Sequence, residues 1–248
     1  MRAMSSFDQR VAPGGLVRSN SADRFSYHEM MSHVPLFAHG RVERVLVLGG
    51  GSGGLARQVF KHRSVRTLVQ VQVDFPMQER AGSHVDGRFA RRAGNPADFV
   101  ASTGDDFDLI LADSTDPGDT EASLLTEIFF RNARGCLRPG GVLIAPFGVP
   151  CLQPHTFAAA MKSLSTVFLL ASPYLVPVPC VAGGPVAIGW GSNVLAPESS
   201  GIDVIAARHA DARIETRYYT PEIHRASFAL PQYIKDVVSA ATRPDEAN

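Results

Sequence analysis

The sequence predicts an α/β fold built on a doubly wound, mainly parallel sheet. Three features carry that reading. Short apolar strands alternate with helical stretches through most of the chain. The first compact strand, Arg44 to Leu48, runs directly into Gly49-Gly50-Gly51-Ser52-Gly53-Gly54. The next strand, Thr67 to Asp74, ends on an acidic residue. Alternating strands and helices place helices on both faces of a parallel sheet. Glycines after a first strand let the backbone turn tightly and approach a ligand closely. A purely structural turn is the competing reading of the glycines alone.

The elements follow in order. Residues 1–22 are rich in Ser, Gly, Arg and Asn and read as a partly flexible remnant of an amino-terminal β region. Residues 23–248 form the Rossmann-like domain, with no second boundary and no internal repeat. Asp23 to Phe37 is a predicted helix, because Phe25, Met30, Val34 and Phe37 recur at helical spacing. The glycine run opens a helix from Leu55 to His62. A third strand is expected at Arg88 to Arg92 and a short helix at Pro96 to Ser102. Phe107 to Ala112 is the fourth strand and ends in Asp113-Ser114-Thr115-Asp116-Pro117. A helix from Ser123 to Leu137 stops at the breaker cluster Arg138-Pro139-Gly140-Gly141, and Gly141 to Ala145 is the fifth strand. A helix over Pro154 to Ser165 leads to late strands at Tyr174 to Pro177 and Val186 to Trp190. Their Gly/Pro link, Pro179 to Pro185, is too short for a crossover helix, so one of the two is expected to run antiparallel. Ile202 to His209 and Leu230 to Ala241 are the tail helices.

Composition narrows the function classes. Lys plus Arg and Asp plus Glu are both 24, so the net charge is zero and a nucleic-acid partner is not expected. No apolar run reaches the roughly 18 residues of a membrane span, and Met1 to Ser21 lacks the apolar segment of a signal peptide. Cys136, Cys151 and Cys180 form neither a disulfide framework nor a zinc pattern, so no metal is expected. A cytoplasmic protein is the economical reading.

In such sheets the ligand sits beyond the carboxyl ends of the strands, where the strand order reverses. The first and fourth strands should flank that crevice, so Gly49 to Gly54 should face Asp113 to Asp116. Two carboxylates at such a crevice suit capture of a cationic group, and one can accept a proton from it. The plainer reading of Asp113 and Asp116 is a capped turn before a helix. His224, His155, Trp190, Arg91-Arg92 and Cys180 read more simply as packing or surface residues.

Several motifs together resemble the spermidine synthases, the polyamine aminopropyltransferases. They are Phe25-Ser26-Tyr27-His28-Glu29-Met30-Met31, His33-Val34-Pro35-Leu36, the glycine run at 49–54, Asp113 to Pro117 and Arg138 to Gly141. In the tail they are Arg217-Tyr218-Tyr219-Thr220-Pro221-Glu222-Ile223-His224 and Phe228-Ala229-Leu230-Pro231-Gln232-Tyr233. The similarity runs from Val17 to Val238. It also favours an S-adenosylmethionine fold over a dinucleotide fold, so the expected class is class I S-adenosylmethionine-dependent methyltransferase-like, with about seven strands. The resemblance implies transfer of an aminopropyl group from decarboxylated S-adenosylmethionine to a small-molecule amine. Asp113 matches the family's base. Tyr27 and Asp116 match residues of the amine and aminopropyl site, and His28 lies beside the cofactor. Gln72 and Asn95 fall at the ribose and adenine positions, with Gly49, Gly50, Gly51, Ser52, Gly53 and Ser114 completing the cofactor-binding set. A homodimer is implied as well.

The departures fall within that set. The family's glycine loop is GGGDGG, whereas here its acid is Ser52. The ribose acid is Gln72 and the adenine acid is Asn95. After Asp113 to Pro117 the chain reads Gly118-Asp119-Thr120-Glu121-Ala122 instead of the family's Gly-Pro and acid. A loop that carries tyrosines in the family reads Pro179-Cys180-Val181-Ala182-Gly183-Gly184, and the strand-end Gln is Arg18. Against the resemblance, residues 1–22 are expected to keep only a remnant of the family's amino-terminal hairpin domain. An acid in the glycine loop repels the carboxylate of intact S-adenosylmethionine, so Ser52 relaxes selection against that cofactor. Three readings therefore stay open: an aminopropyltransferase with an altered acceptor, an enzyme that uses intact S-adenosylmethionine for alkyl transfer or cyclisation, and a non-catalytic nucleoside-binding homologue.

Overall fold

The computed structural model describes residues 10–11, 17–18, 24–51, 53–73, 87–113, 124–179 and 181–242. Near the amino terminus, β1 (Arg10–Val11) and β2 (Val17–Arg18) pair antiparallel. The main sheet holds β3 (Arg44–Gly49), β4 (Thr67–Gln72), β5 (Phe89–Ala93), β6 (Phe107–Asp113), β7 (Leu137–Pro146), β8 (Leu170–Val176) and β9 (Val186–Ser192). Their order is β5-β4-β3-β6-β7-β9-β8. Neighbours from β5 through β7 are parallel, while β9 is antiparallel to both β7 and β8. The short link before β9 thus reverses one strand, as its length requires. The chain winds outward from β3 to β5 and then returns to β6 on the other side of β3. That reversal opens the crevice beyond the ends of β3 and β6.

The helices are α1 (Phe25–His39), α2 (Gly54–Val59), α3 (Pro96–Ser102), α4 (Glu127–Gly135), α5 (Pro154–Val167), α6 (Ile202–Ala212), α7 (Pro221–Ser227) and α8 (Gln232–Thr242). Residues alternate across each strand, so the sheet has two cores. Val45, Val47, Leu68, Leu109 and Leu111 pack with Met30, Met31 and Val34 of α1 and Leu55 and Val59 of α2. Leu46, Leu48, Val69, Val71 and Ile110 pack with Phe129 and Phe130 of α4 and Phe157 and Leu164 of α5. By the same alternation Gln70, Gln72 and Asp113 belong to the α1 face. Every residue of α1 from Ser26 to Ala38 is buried, as expected of a helix enclosed by protein rather than lying on its surface. Its far end is closed by Arg208, whose guanidinium donates to the carbonyls of Phe37 (2.6 Å) and Ala38 (2.8 Å).

Several elements differ from the sequence expectation, among them β8, which begins at Leu170 and not at Tyr174, and α2, which ends at Val59 and not at His62. Arg138 to Gly141 does not stop a helix; it lies inside β7, which begins at Leu137. The pairing of β6 with β7 shifts register between Phe107 and Leu109, so the strand absorbs the Pro-Gly-Gly segment as an irregularity. Helix α4 begins at Glu127, where Thr126 caps it by accepting from the Phe129 amide. Helix α7 was not anticipated, although Thr220 as cap and Pro221 at the first position are a helix-start signature. No helix among the described residues is long and apolar enough to cross a membrane.

Candidate active site

The parallel register sets Gly49 beside Asp113 at the carboxyl ends of β3 and β6. Gly49 and Gly50 have φ of 85° and 75°, a left-handed conformation that costs a glycine little. That turn lets the Gly50 amide donate to the Asp113 carbonyl at 3.1 Å and its carbonyl accept from Gly53 at 3.0 Å. The glycine loop and the carboxylate strand are thereby tied at the backbone.

Helix α1 brings Tyr27 to the same point. Its hydroxyl donates to Asp113 Oδ1 at 2.8 Å, and both residues are buried. Burial foremost, then the Asp113 charge and the hydrogen bond to it, hold the Tyr27 phenol well above its ordinary pKa. Tyr27 is therefore a neutral donor that orients the carboxylate. Asp113 Oδ2 lies toward the glycine loop, 3.6 Å from where a Cβ on Gly50 would sit.

The next residue, His28, is buried against the start of α2. Burial, with Arg24 and Arg57 nearby, lowers its pKa to about 4, so it is neutral at pH 7. A Cβ on Gly54 would stand 2.3 Å from His28 Cε1. On the other side of β3, Gln72 ends β4 and is buried. Asn95 follows β5 and caps α3, accepting from the Ala97 amide at 2.8 Å.

Tyr27, His28, Gly49, Gly50, Gln72 and Asp113 thus gather at the carboxyl ends of β3, β4 and β6. Gly51 and Gly53 belong to the same loop. Asn95 stands two strands from β3, at the end of β5. Ser52, Ser114 and Asp116, and also Asp74 and Cys180, lie outside the described residues. His224 is packed, bonded through Nδ1 to the Tyr219 hydroxyl at 2.9 Å. Trp190 is fully buried in the α1-side core, and His155 lies in the first turn of α5.

Two buried residues beside the site were missed. Glu29 accepts backbone hydrogen bonds from Arg217, Tyr218 and Tyr219 at 2.8–3.1 Å, fastening the tail to α1. Gln70 donates into the glycine loop. Each is one of several polar residues in its element, and its partners are distant in sequence, so no local signal singled it out.

Strand order, the single reversed strand and the glycine loop define a class I methyltransferase-like protein. The chain matches the Spermine/spermidine synthase domain over residues 24–199. It is 39% identical over 230 residues to a polyamine aminopropyltransferase of Ruegeria sp. (strain TM1040), covering 89% of this chain and 81% of the relative. It is 38% identical to the polyamine aminopropyltransferase of Klebsiella pneumoniae subsp. pneumoniae, with 94% and 85% covered. A spermidine synthase solved in complex with the transition-state analogue AdoDATO superposes with a TM-score of 0.81 at 30% identity, covering 91% of this chain and 79% of that one. The Thermotoga maritima spermidine synthase also gives 0.81, at 32% identity, with 91% and 78% covered. The chain belongs to the spermine/spermidine synthase family.

Proposed function

We propose that this protein transfers the aminopropyl group of decarboxylated S-adenosylmethionine to a small amine, with Asp113 as general base. The observation that carries this reading is the Tyr27–Asp113 hydrogen bond at the mouth of the glycine loop. The carboxylate holds the attacking nitrogen against the aminopropyl carbon. As the C–N bond forms, the C–S bond breaks and its electron pair returns to sulfur, leaving 5′-methylthioadenosine. The proton lost by nitrogen passes to Asp113. No covalent enzyme intermediate is needed; positioning and deprotonation supply the rate. Tyr27 fixes Oδ1, and Asp116 joins the amine site. Gln72, Asn95 and the glycine loop hold the nucleoside, with His28 alongside.

A second reading is favoured by one observation. Ser52, Gln72 and Asn95 place no charge where the family has three acids. A neutral loop accepts the carboxylate of intact S-adenosylmethionine more readily than an acidic one. Incubation with each cofactor and a panel of amines, read by mass spectrometry, separates the two. A product heavier by an aminopropyl group supports the first reading. A methylated or cyclised product with only the intact cofactor overturns it.

A further inference from the structure

A cleft remote from Asp113 lies between the start of α6 and α7, with a volume of about 130 Å³. A single water takes roughly 10–15 Å³ of such space, so there is room for about ten heavy atoms. Ile202, Ile205 and Phe228 give it apolar walls. Ser200, also in its lining, donates to the Ala38 carbonyl at 2.9 Å, in the last turn of α1. Tyr27 stands in the first turn of that helix, about 16 Å away along its axis.

Three polar groups of this cleft lack partners. His224 is 1% exposed. Burial lowers its pKa to about 4, so the imidazole is neutral at pH 7. Burial also holds the Tyr219 phenol above its ordinary pKa. Among the described residues that hydroxyl bonds only to His224 Nδ1, at 2.9 Å. A buried hydroxyl needs an acceptor, so its proton points at Nδ1 and the proton of the ring sits on Nε2. This Nε2–H is buried and has no acceptor among the described residues. Arg225 follows on α7, and Glu198 precedes α6; both are exposed and line the cleft. No ion pair among the described residues includes either of them.

A buried donor, a cation and an anion around an apolar cleft form the set that a small zwitterion requires. We propose that this cleft binds a free apolar α-amino acid. Its carboxylate accepts from His224 Nε2 and pairs with Arg225, and its ammonium pairs with Glu198. Its side chain lies against Ile202, Ile205 and Phe228. An acid without an amine would set its carboxylate near that of Glu198 with no cation between them. An amine without an acid would leave His224 and Arg225 with no acceptor.

Calorimetric titration of the full chain tests it with L-leucine and with 4-methylpentanoate, the same carbon skeleton without the amine. Wild type is compared with Arg225→Gln and Glu198→Gln, two exposed positions at which the fold is retained. L-Leucine is expected to bind at one site, at least tenfold more tightly than 4-methylpentanoate. Arg225→Gln should weaken L-leucine at least tenfold. Glu198→Gln should weaken it until the two ligands bind alike. The nitrogen-15 signal of His224 Nε2 should move as L-leucine is added. Saturating 5′-methylthioadenosine should leave the L-leucine affinity within threefold. The inference is overturned by absence of saturable L-leucine binding, by no preference over 4-methylpentanoate, by an unmoved His224 signal, by competition from the nucleoside, or by unchanged affinity in either variant. Each of these results leaves the aminopropyl-transfer reading standing. Failure of wild type to bind 5′-methylthioadenosine counts against that reading alone.

Discussion

The imidazole of His28 fills the space that a side chain at Gly54 would need, with its Cε1 2.3 Å from that Cβ position. His28 is buried and held between α1 and α2, so it has little room to move. Gly54→Ala is expected to lower the melting temperature and to weaken 5′-methylthioadenosine binding at least tenfold. Adding His28→Ala removes the clash and should recover much of the melting temperature. Equal melting temperatures for the single and double variants would contradict this packing.

Tyr27 reaches Asp113 across the fold, from the first helix to the end of β6, at a sequence separation of 86 residues. A hydrogen bond to a charged group is worth about 1.5–3 kcal/mol, so its loss in the reacting complex corresponds to roughly ten- to a hundredfold in rate. Tyr27→Phe is expected to reduce kcat by that factor while cofactor affinity changes less than threefold. Steady-state kinetics with titration calorimetry would show it.

Glu29 is the fastening point of the carboxyl-terminal tail. Its carboxylate collects amide protons from three successive residues. Glu29→Gln turns an amide nitrogen toward these donors and is expected to cost about 2–3 kcal/mol of stability, read from urea midpoints. Arg217→Ala keeps the backbone N–H and serves as the comparison. It should cost less, through the lost stacking on Phe25.

Buried imidazoles make stability depend on acidity. Burial lowers the pKa of His33 and His62 to about 3 and of His224 to about 4, from the ordinary 6.5. His33 and His62 are also bonded to each other at 2.8 Å. Below pH 6.5 the unfolded chain binds protons that the folded chain excludes, so stability is full above 6.5 and declines as pH falls toward the folded values. Each such group removes up to ~1.4 kcal/mol per pH unit in that window. Denaturation at pH 7.5 and at pH 5 should show a clear fall at the lower value; equal midpoints would contradict it.

The sheet was legible in the sequence because its signals are local. Arg44 to Leu48 is a compact apolar run that ends on the glycines, and Phe107 to Ala112 is a largely apolar run bounded by aspartates. The meeting of Gly49 with Asp113 followed from strand order alone. Arg138 to Gly141 misled because Pro and Gly interrupt helices and strands alike, and only pairing with β6 shows that a strand continues through them. Glu29 and Gln70 were passed over because their partners, the amides at 217–219 and the carbonyls at 49 and 50, are distant in sequence. Without the fold, one polar residue among several in a helix or strand has no visible purpose. Tyr27 entered the site only through family resemblance, since nothing local points a helix residue toward a strand end 86 residues away.

Turnover by Asp113→Asn tests the central claim most directly. The substitution keeps the shape of the side chain and an oxygen to accept from Tyr27, and it removes the base. With decarboxylated S-adenosylmethionine and an amine that wild type uses, formation of 5′-methylthioadenosine is expected to fall at least a thousandfold, while its binding measured by calorimetry stays within about threefold. Turnover within tenfold of wild type would contradict the role of Asp113 and the account built on it.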